Sequence, residues 1–230
     1  MTEGNPLFGT DGTAPLLSSM TLATRLCVVR HGETDWNAGR RIQGHIDVPL
    51  SVVGHAQARA AGNALANEGF AAIYSSDLTR ARQTAEATAH LAHLPLQLLT
   101  GLRERHYGVF QGLTYAEAEA RYPQAYARHH ARDDAHFAPP GGESLHDLAT
   151  RIAGVCDDIA RRHAGQAVAI FTHGGVLDIL HRRAAGKPLT TPRDFAIPNA
   201  AINWIEAADR GWALLSWAER GHLTGTLDEL

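Results

Sequence analysis

The sequence is poor in cysteine and has no long apolar run. Cys27 and Cys156 are its only cysteines in 230 residues, and they form no spaced motif. We therefore expect two reduced, buried thiols. No apolar stretch approaches the roughly 20 residues of a membrane-spanning helix, so we expect no membrane partner.

Lysine is almost absent as well. Lys187 is the single lysine, and the other basic residues among the 21 are arginines. We interpret this as a compositional bias, but it means that cations near a candidate site are planar guanidinium groups suited to oxyanions. The formal net charge of -3 argues against nucleic acid as a partner, because the phosphate backbone attracts basic surfaces.

The length suits one large α/β domain. Residues 1–24 are rich in Gly, Pro, Ser and Thr and lack periodicity, so we predict a flexible tail, with Met20 as a candidate natural start. This segment lacks the positive start and apolar core of a secretory signal, and we predict a cytoplasmic protein. Residues 25–230 are predicted to form a single domain whose lid spans about 105–143.

Strand and helix patterns alternate along this domain. Strands are predicted at 25–30, 71–76, 96–102 and 167–175, helices at 50–70, 78–91, 144–165 and 175–186, a helix broken near Pro123, and a hairpin over 199–219. Ser51, Ser144 and Gly186 are predicted helix boundaries. The alternation predicts a three-layer α/β/α sandwich with a mostly parallel sheet and an antiparallel edge.

Charged side chains follow the predicted strands. The strand ends supply Arg30, His31, Arg80, Glu104, Arg105, Tyr107 and His173. Ligands of such sheets bind outside the carboxyl ends of the strands. Arginines repel a metal ion, so this set favours an anion, and a phosphate best fits several guanidinium groups.

Each of these residues has an ordinary structural explanation when taken alone. Arg80 could pair with Glu86 or Asp77, and Glu104 could form a solvated ion pair with a neighbouring arginine. His173, before two glycines, could be a satisfied histidine beneath a turn. Their joint occurrence at strand ends favours one assembled site over four separate coincidences.

Such a site has the components for phosphoryl transfer. A histidine attacks phosphorus when one ring nitrogen is deprotonated and the other is held by a hydrogen bond. Arg30, Arg80 and His173 would stabilise the transferring group, and Asn37 would add an amide donor. Glu104 is the acid placed to protonate the leaving oxygen.

Four segments resemble the histidine phosphatase superfamily, also called the phosphoglycerate mutase-like family. They are "RHGETDWN", "SSDLTRARQTA", "LRERHYGVFQG" and "THGG", in the family's order across about residues 25–218. The resemblance implies a phosphohistidine on His31 and Glu104 as general acid. It implies a phosphate pocket of Arg30, Asn37, Arg80 and His173, with Gln43, Gly44 and Gly174 beside it, and no metal.

The resemblance leaves two activities open. "ERHYG" favours a phosphoglycerate mutase, which would use 2,3-bisphosphoglycerate as cofactor. Tyr115 stands where those mutases carry a lysine, Gly175 and Val176 depart from their second-histidine segment, and the lid contains no lysine. We therefore favour a phosphatase of small phosphomonoesters, because fewer cationic contacts would hold a bisphosphate.

Other classes of protein are weaker alternatives. A non-catalytic phosphate-binding module is disfavoured because every catalytic position is filled. A Rossmann nucleotide-binding protein is disfavoured because no G-x-G-x-x-G follows the first strand. The expected partner is a small phosphorylated metabolite, with the oligomeric state open and a homodimer as one option.

Lid residues are predicted to choose the substrate. Those with reach to its non-phosphate part are Arg105, Tyr107, Tyr115, Arg128, His129 and His130. A metal site of His129 and His130 with Asp133 and Asp134 is less favoured than a solvated helix end, since adjacent helical residues do not converge.

Overall fold

A computed structural model describes residues 22–224. Its strands are β1 Thr24–Arg30, β2 Ala72–Ser75, β3 Leu96–Leu98, β4 Ala167–Thr172, β5 Ile202–Ala208 and β6 Gly211–Glu219. Its α-helices are α1 Asp35–Ala38, α2 Val52–Leu65, α3 Thr79–Leu91, α4 Tyr115–Arg121, α5 Pro123–Ala131, α6 Leu145–Arg162 and α7 Gly174–Ala185. The strand order is β3-β2-β4-β1-β5-β6.

The sheet has the predicted mixed topology. β1, β2, β3 and β4 run parallel, and β5 and β6 add an antiparallel edge. β1 alternates between the two faces, because Leu26 and Val28 join one core and Cys27 and Val29 join the other. α6 and α7 cover the first face, and α2 and α3 cover the second. The three-layer α/β/α prediction is confirmed.

Local signals set the predicted helix boundaries. The Ser51 side chain accepts a hydrogen bond from Gly54 N at 3.1 Å at the start of α2. Ser144 and Asp147 form a reciprocal capping box at the start of α6, which satisfies otherwise unpaired amide groups. Gly186 ends α7 with φ of 64°, a left-handed conformation that glycine adopts without strain.

The start of the domain differs by one residue from the prediction. Thr24, which we placed in the tail, is the first residue of β1 and is buried. Its hydroxyl donates to Ala160 O at 2.7 Å and to His163 O at 3.0 Å. Met20 and the rest of the predicted tail before residue 22 lie outside the described residues.

The third strand is shorter than predicted. β3 ends at Leu98, and a 3₁₀ turn follows at Thr100–Leu102. Leu102 is fully buried in the core beneath α6. The backbone therefore turns away from the sheet edge before this residue. Glu104 therefore follows a turn, not a strand end. β4 is also shorter than predicted, because Gly174 already belongs to α7.

The lid consists of short helices with a small core of their own. Pro123 separates α4 from α5, as the sequence predicts, since proline fits the first turn of a helix. Ile42, Phe110 and Ala118 pack together. The free thiols of Cys27 and Cys156 are buried in the main domain, as expected. Among residues 22–224, no helix is long and apolar enough to cross a bilayer.

Candidate active site

The parallel pairing of β1 and β4 brings the two predicted site histidines together. Arg30 is in register with Thr172, so His31 and His173 leave the sheet side by side. Their ring centroids lie 5.2 Å apart, and both side chains are buried. Gly32 permits the close passage that follows, because a Cβ there would lie 2.6 Å from Gly54 O. We call Arg30, His31, Arg80 and His173 the strand-end pocket.

The His31 imidazole is held in the form that a nucleophile requires. Nδ1 lies 2.7 Å from Gly32 O, and a carbonyl oxygen only accepts, so Nδ1 carries the hydrogen and Nε2 presents its lone pair. Burial, then the charges of Arg80 and Arg30, hold the pKa of His31 well below its ordinary value. The ring is therefore neutral at neutral pH.

His173 is fixed by a residue that the sequence analysis missed. Its Nε2 lies 2.8 Å from the Ser76 hydroxyl. Nδ1 is buried and contacts no hydrogen-bond partner within residues 22–224. Burial, then Arg80, keep the pKa of His173 well below its usual range, so this imidazole is also neutral.

Two guanidinium groups lie beside the imidazoles. Arg80 is fully buried and donates to Gly44 O at 2.7 Å and Ile46 O at 3.0 Å. Arg30 donates to Ile197 O at 2.6 Å. Burial lowers the pKa of both groups, that of Arg80 to about 10, so both stay charged at neutral pH. In the described part of the chain, neither Nε has a hydrogen-bond partner.

The alternative partners suggested for Arg80 are wrong. Glu86 pairs with Arg82 at 3.7 Å, and Arg82 lies two residues beyond Arg80 in α3. Asp77 pairs with Arg103, whose Nε donates at 2.8 Å. Among residues 22–224, the Arg80 guanidinium donates only to carbonyl oxygens, so its charge remains available to a ligand of the pocket.

Asn37 reaches the same cavity from α1, a helix that the sequence analysis did not predict. Its Oδ1 accepts from Thr34 N at 3.1 Å and from the Thr34 hydroxyl at 3.0 Å. Since the amide oxygen is engaged, Nδ2 is the atom available to a ligand. Asn199 supports this segment by donating to His31 O at 2.9 Å.

The loop of Gln43 and Gly44 lines the cavity as predicted. Gly44 has φ of 56°, a conformation that favours glycine. Its carbonyl oxygen accepts the hydrogen bond from the Arg80 guanidinium. Gly175 rather than the predicted Gly174 is among the lining residues.

Glu104 is almost fully buried and is oriented by backbone amides. Gly175 N donates to both carboxyl oxygens at 3.0 Å, and Arg105 N donates to Oε1 at 2.7 Å. A Cβ at position 175 would overlap Oε1, so glycine is needed there. Arg151 supports the preceding turn through Gly101 O at 2.8 Å and Arg103 O at 2.9 Å.

The lid supplies the outer part of the cavity. Burial raises the pKa of Tyr107, so its phenol stays protonated and is a donor. Tyr115, His129 and His130 line the cavity with it, as predicted. Arg128 does not, since it pairs with Asp134 at the surface, at 3.1 Å. That part of the lid prediction is wrong.

The cavity measures about 550 Å³. Its lining residues are Arg30, His31, Asn37, Arg41, Ile42, Gln43, Gly44, Arg80, Glu104, Arg105, Tyr107, Tyr115, Tyr126, His129, His130, Arg132, Leu145, Leu148, Gly175, Asp178 and Arg193. Its inner end can accept an anion, and its outer end suits a small polar molecule.

Several functional neighbours carry no local sequence signal. Ser76, Thr84, Asn199 and Asp178 were not singled out from the sequence. Thr84 accepts from Gly32 N at 2.9 Å, and Asp178 lies midway along α7. Only the two serines at the end of β2, Ser75 and Ser76, offered a hint, because a hydroxyl at a strand end can reach the same edge of the sheet as the histidines.

The described residues contain no group of three or more His, Cys, Asp or Glu side chains suited to a metal ion. His129 and His130 contact aromatic rings instead, at Tyr107 and Tyr126 respectively.

Comparisons with known proteins find relatives over most of the chain. The family model "Histidine phosphatase superfamily (branch 1)" matches residues 26–220. A "Metal-independent phosphoserine phosphatase" from Arabidopsis thaliana is 38% identical over an alignment of 208 residues that covers 87% of this chain and 84% of the relative. "Phosphoglycerate mutase-like protein 4" from the same plant is 38% identical over 205 residues, 87% of each chain.

A solved structure of a mycobacterial glucosyl-3-phosphoglycerate phosphatase has the same fold. It superposes with a TM-score of 0.76 at 34% identity and covers 86% of this chain and 100% of its own. Its sheet and helices therefore correspond to most of the described domain.

Proposed function

The chain belongs to the histidine phosphatase superfamily, and from this premise we propose that it hydrolyses small phosphomonoesters through a phosphohistidine on His31. One observation carries the proposal. The free Nε2 of a neutral His31 lies among two charged arginines whose Nε atoms have no partner in the described part of the chain.

In the first step, His31 Nε2 attacks phosphorus. An N–P bond forms as the ester P–O bond breaks. Arg30, Arg80 and Asn37 donate to the phosphoryl oxygens, whose charge is spread in the transition state. Ser76 accepts from Leu78 N at 3.3 Å and donates to His173 Nε2, which leaves Nδ1–H of His173 as a further donor.

Glu104 serves the leaving group. Its proton goes to the departing oxygen, which leaves as an alcohol, and the carboxylate that results is held by Gly175 N. In the second step this carboxylate takes a proton from water while the water oxygen attacks phosphorus. The N–P bond breaks, inorganic phosphate is released, and both His31 and Glu104 return to their starting states.

One position in the outer cavity favours hydrolysis over mutase activity. Tyr115, where the mutase pattern has lysine, is 54% exposed and lines the cavity. A neutral phenol does not hold a distal phosphate as an ammonium does. Names that include phosphatase among the relatives support the same choice, and the name of the plant phosphoserine phosphatase supports catalysis without a metal.

Trapping the intermediate tests the mechanism. The protein in EDTA is mixed with p-nitrophenyl phosphate, quenched in alkali and mapped by mass spectrometry. We expect turnover and a phosphoryl group on His31. His31→Gln should lose both, and His55→Gln, a change on the exposed face of α2, should lose neither. Turnover by His31→Gln, or a phosphoryl group on another residue, would refute the assignment.

Product analysis separates the two activities. Incubation with 3-phosphoglycerate should release inorganic phosphate whether or not 2,3-bisphosphoglycerate is added. If 2-phosphoglycerate forms, and its formation depends on the bisphosphate, the protein is a mutase and the proposed hydrolase activity is wrong.

A further inference from the structure

A histidine outside the cavity contacts the backbone of the acid Glu104. His45 follows Gly44, and its Nε2 lies 2.7 Å from the carbonyl oxygen of Glu104. Since a carbonyl oxygen only accepts, Nε2 carries the hydrogen and donates it. His45 is not among the residues of the described chain that line the cavity, so its side chain can affect the reaction only through its neighbours.

The loop that carries His45 is anchored by contacts that do not involve the imidazole. The amide nitrogen of His45 donates to Gln111 Oε1 at 2.7 Å. Two residues further on, the carboxylate of Asp47 accepts from the Thr79 amide nitrogen and from the Thr79 hydroxyl, both at 2.7 Å. The backbone on both sides of the imidazole is therefore fixed to other elements, and the imidazole extends from it to Glu104.

Glu104 itself lies in an irregular segment. It follows the 3₁₀ turn Thr100–Leu102 and precedes a second one, Gly108–Phe110. Its carbonyl oxygen also accepts from Arg151 at 3.3 Å, so His45 makes the shorter of these two contacts. A fixed carbonyl oxygen limits the movement of the Glu104 backbone, and with it the movement of the carboxyl group.

The imidazole gives this support without a further charge. Burial lowers the pKa of His45. The hydrogen bond to Glu104 O opposes this shift, whereas His106, Arg103 and Arg151 add to it. His106 packs edge to face against the ring, with centroids 4.8 Å apart. A neutral donor places no additional cation beside a carboxyl group that must carry a proton.

We propose that His45 is a positioning residue for the general acid and that its Nε2–H group holds Glu104 within reach of the leaving oxygen. The inference rests on the proposed function for the role of Glu104. Loss of the donor should therefore affect esters that need an acid more than esters with a good leaving group, because the strand-end pocket keeps its own contacts.

Two substitutions separate the donor from the ring. His45→Phe keeps a ring beside His106 and removes the donor, whereas His45→Gln keeps an N–H donor and removes the ring. Steady-state kinetics compare an alkyl phosphate with p-nitrophenyl phosphate. His45→Phe should lower kcat for the alkyl ester by about 10- to 100-fold, and for the aryl ester by less than about threefold. His45→Gln should stay within about threefold of the unmodified protein for both esters.

A second background locates the effect. In Glu104→Gln, which already lacks the acid, His45→Phe should cause no further loss with the alkyl ester, since the two residues act as one unit. His55→Phe, on the exposed face of α2, is the matched control and should leave both rates unchanged. His45→Leu is a second variant without a donor. An unchanged inhibition constant for inorganic phosphate checks that the strand-end pocket is intact in each variant.

Equal losses for the two esters in His45→Phe, the same losses in His45→Gln, or losses that add in the Glu104→Gln background would overturn the inference. The proposed function is judged separately, by the phosphoenzyme on His31 and by the ester dependence of Glu104→Gln alone. An enzyme that passes both of these tests and hydrolyses the alkyl ester normally with His45→Phe would keep its mechanism and lose this positioning residue.

Discussion

The strand-end pocket and a second group that lines the cavity use the same side chain, arginine, in different ways. This second group, which we call the lid wall, consists of Arg105, Arg132, Asp178 and Arg193. In the strand-end pocket, Arg30 and Arg80 are supported by carbonyl oxygens and keep their charge for a ligand. In the lid wall, Arg132 and Arg193 are bound to a buried carboxylate. The arginines of the strand-end pocket are positioned by the strands that they follow. The ion pairs of the lid wall connect the lid to α7.

The difference separates chemistry from substrate choice. Groups on strand ends inherit the rigidity of the sheet, which suits a reaction that needs fixed geometry. Groups on short helices and loops are easier to vary without disturbing that reaction. The variants below should therefore affect chemistry in one region, and stability or affinity in the other.

Glu104→Gln should have the largest effect on chemistry. Removing the acid should lower kcat for an alkyl phosphate by about 10²- to 10⁴-fold. The loss should be much smaller for p-nitrophenyl phosphate, whose leaving group needs little protonation. Steady-state kinetics with both esters measure the ratio, and equal losses would contradict a general-acid role.

Asp178→Asn should show that the lid wall acts on stability. It leaves buried guanidinium groups without their counter-charge, so the free energy of unfolding should fall by about 3–5 kcal/mol. Urea denaturation gives the value. Asp157→Asn is the matched control, because Asp157 and its partner Arg183 are each about a third exposed, and its loss should be below about 1 kcal/mol. Similar losses of unfolding free energy for the two variants would mean that burial adds nothing to the contribution of the Asp178 ion pairs.

Acid should weaken the strand-end pocket through its histidines. The folded pKa values of His31 and His173 lie below the ordinary 6.5. Between those values and 6.5, the unfolded chain binds protons that the folded chain does not, so stability is full above this range and declines as pH falls.

Denaturation at about pH 7 and about pH 5 measures this decline. His31→Gln should reduce it by up to about 1.4 kcal/mol per pH unit, since one titrating group is removed. An unchanged slope would mean that His31 is protonated in the fold.

Ser76→Ala should have the smallest effect. It removes the hydrogen bond that orients His173, worth about 1 kcal/mol, so kcat should fall roughly fivefold. Ser75→Ala is the neighbouring buried control, because its hydroxyl donates to the backbone at Ser76 O. A fall in kcat for both variants would indicate a general loss of packing.

The strand-end pocket was largely predictable. Apolar runs that stop at Arg30 and before His173 indicate strand ends, and parallel strands place their ends at one edge. Arg80 was predicted from the same rule. Glu104 was predicted as the acid, but the strand predicted before it, 96–102, is longer than the observed β3. The structure shows that a 3₁₀ turn delivers it instead.

The lid wall was beyond prediction because its contacts are remote in sequence and depend on one backbone conformation. Arg132 and Asp178 are separated by 46 positions, and no local pattern pairs them. α5 ends at Ala131, and the next residue, Arg132, has φ of 53°. Arg132, at this turn, lines the cavity, whereas Arg128 within α5 does not.

The register of β1 and β4 has a consequence for how this protein can change over time. The two imidazoles are 5.2 Å apart because Arg30 and Thr172 are partners on neighbouring strands. The distance between the two rings is therefore set by the distance between adjacent strands, which is common to parallel sheets. Substitutions around them can alter charge or shape, but inserting or deleting one residue in either strand would turn an imidazole to the opposite face. Descendants of this chain can diversify their lids freely while the distance between the two rings stays constant.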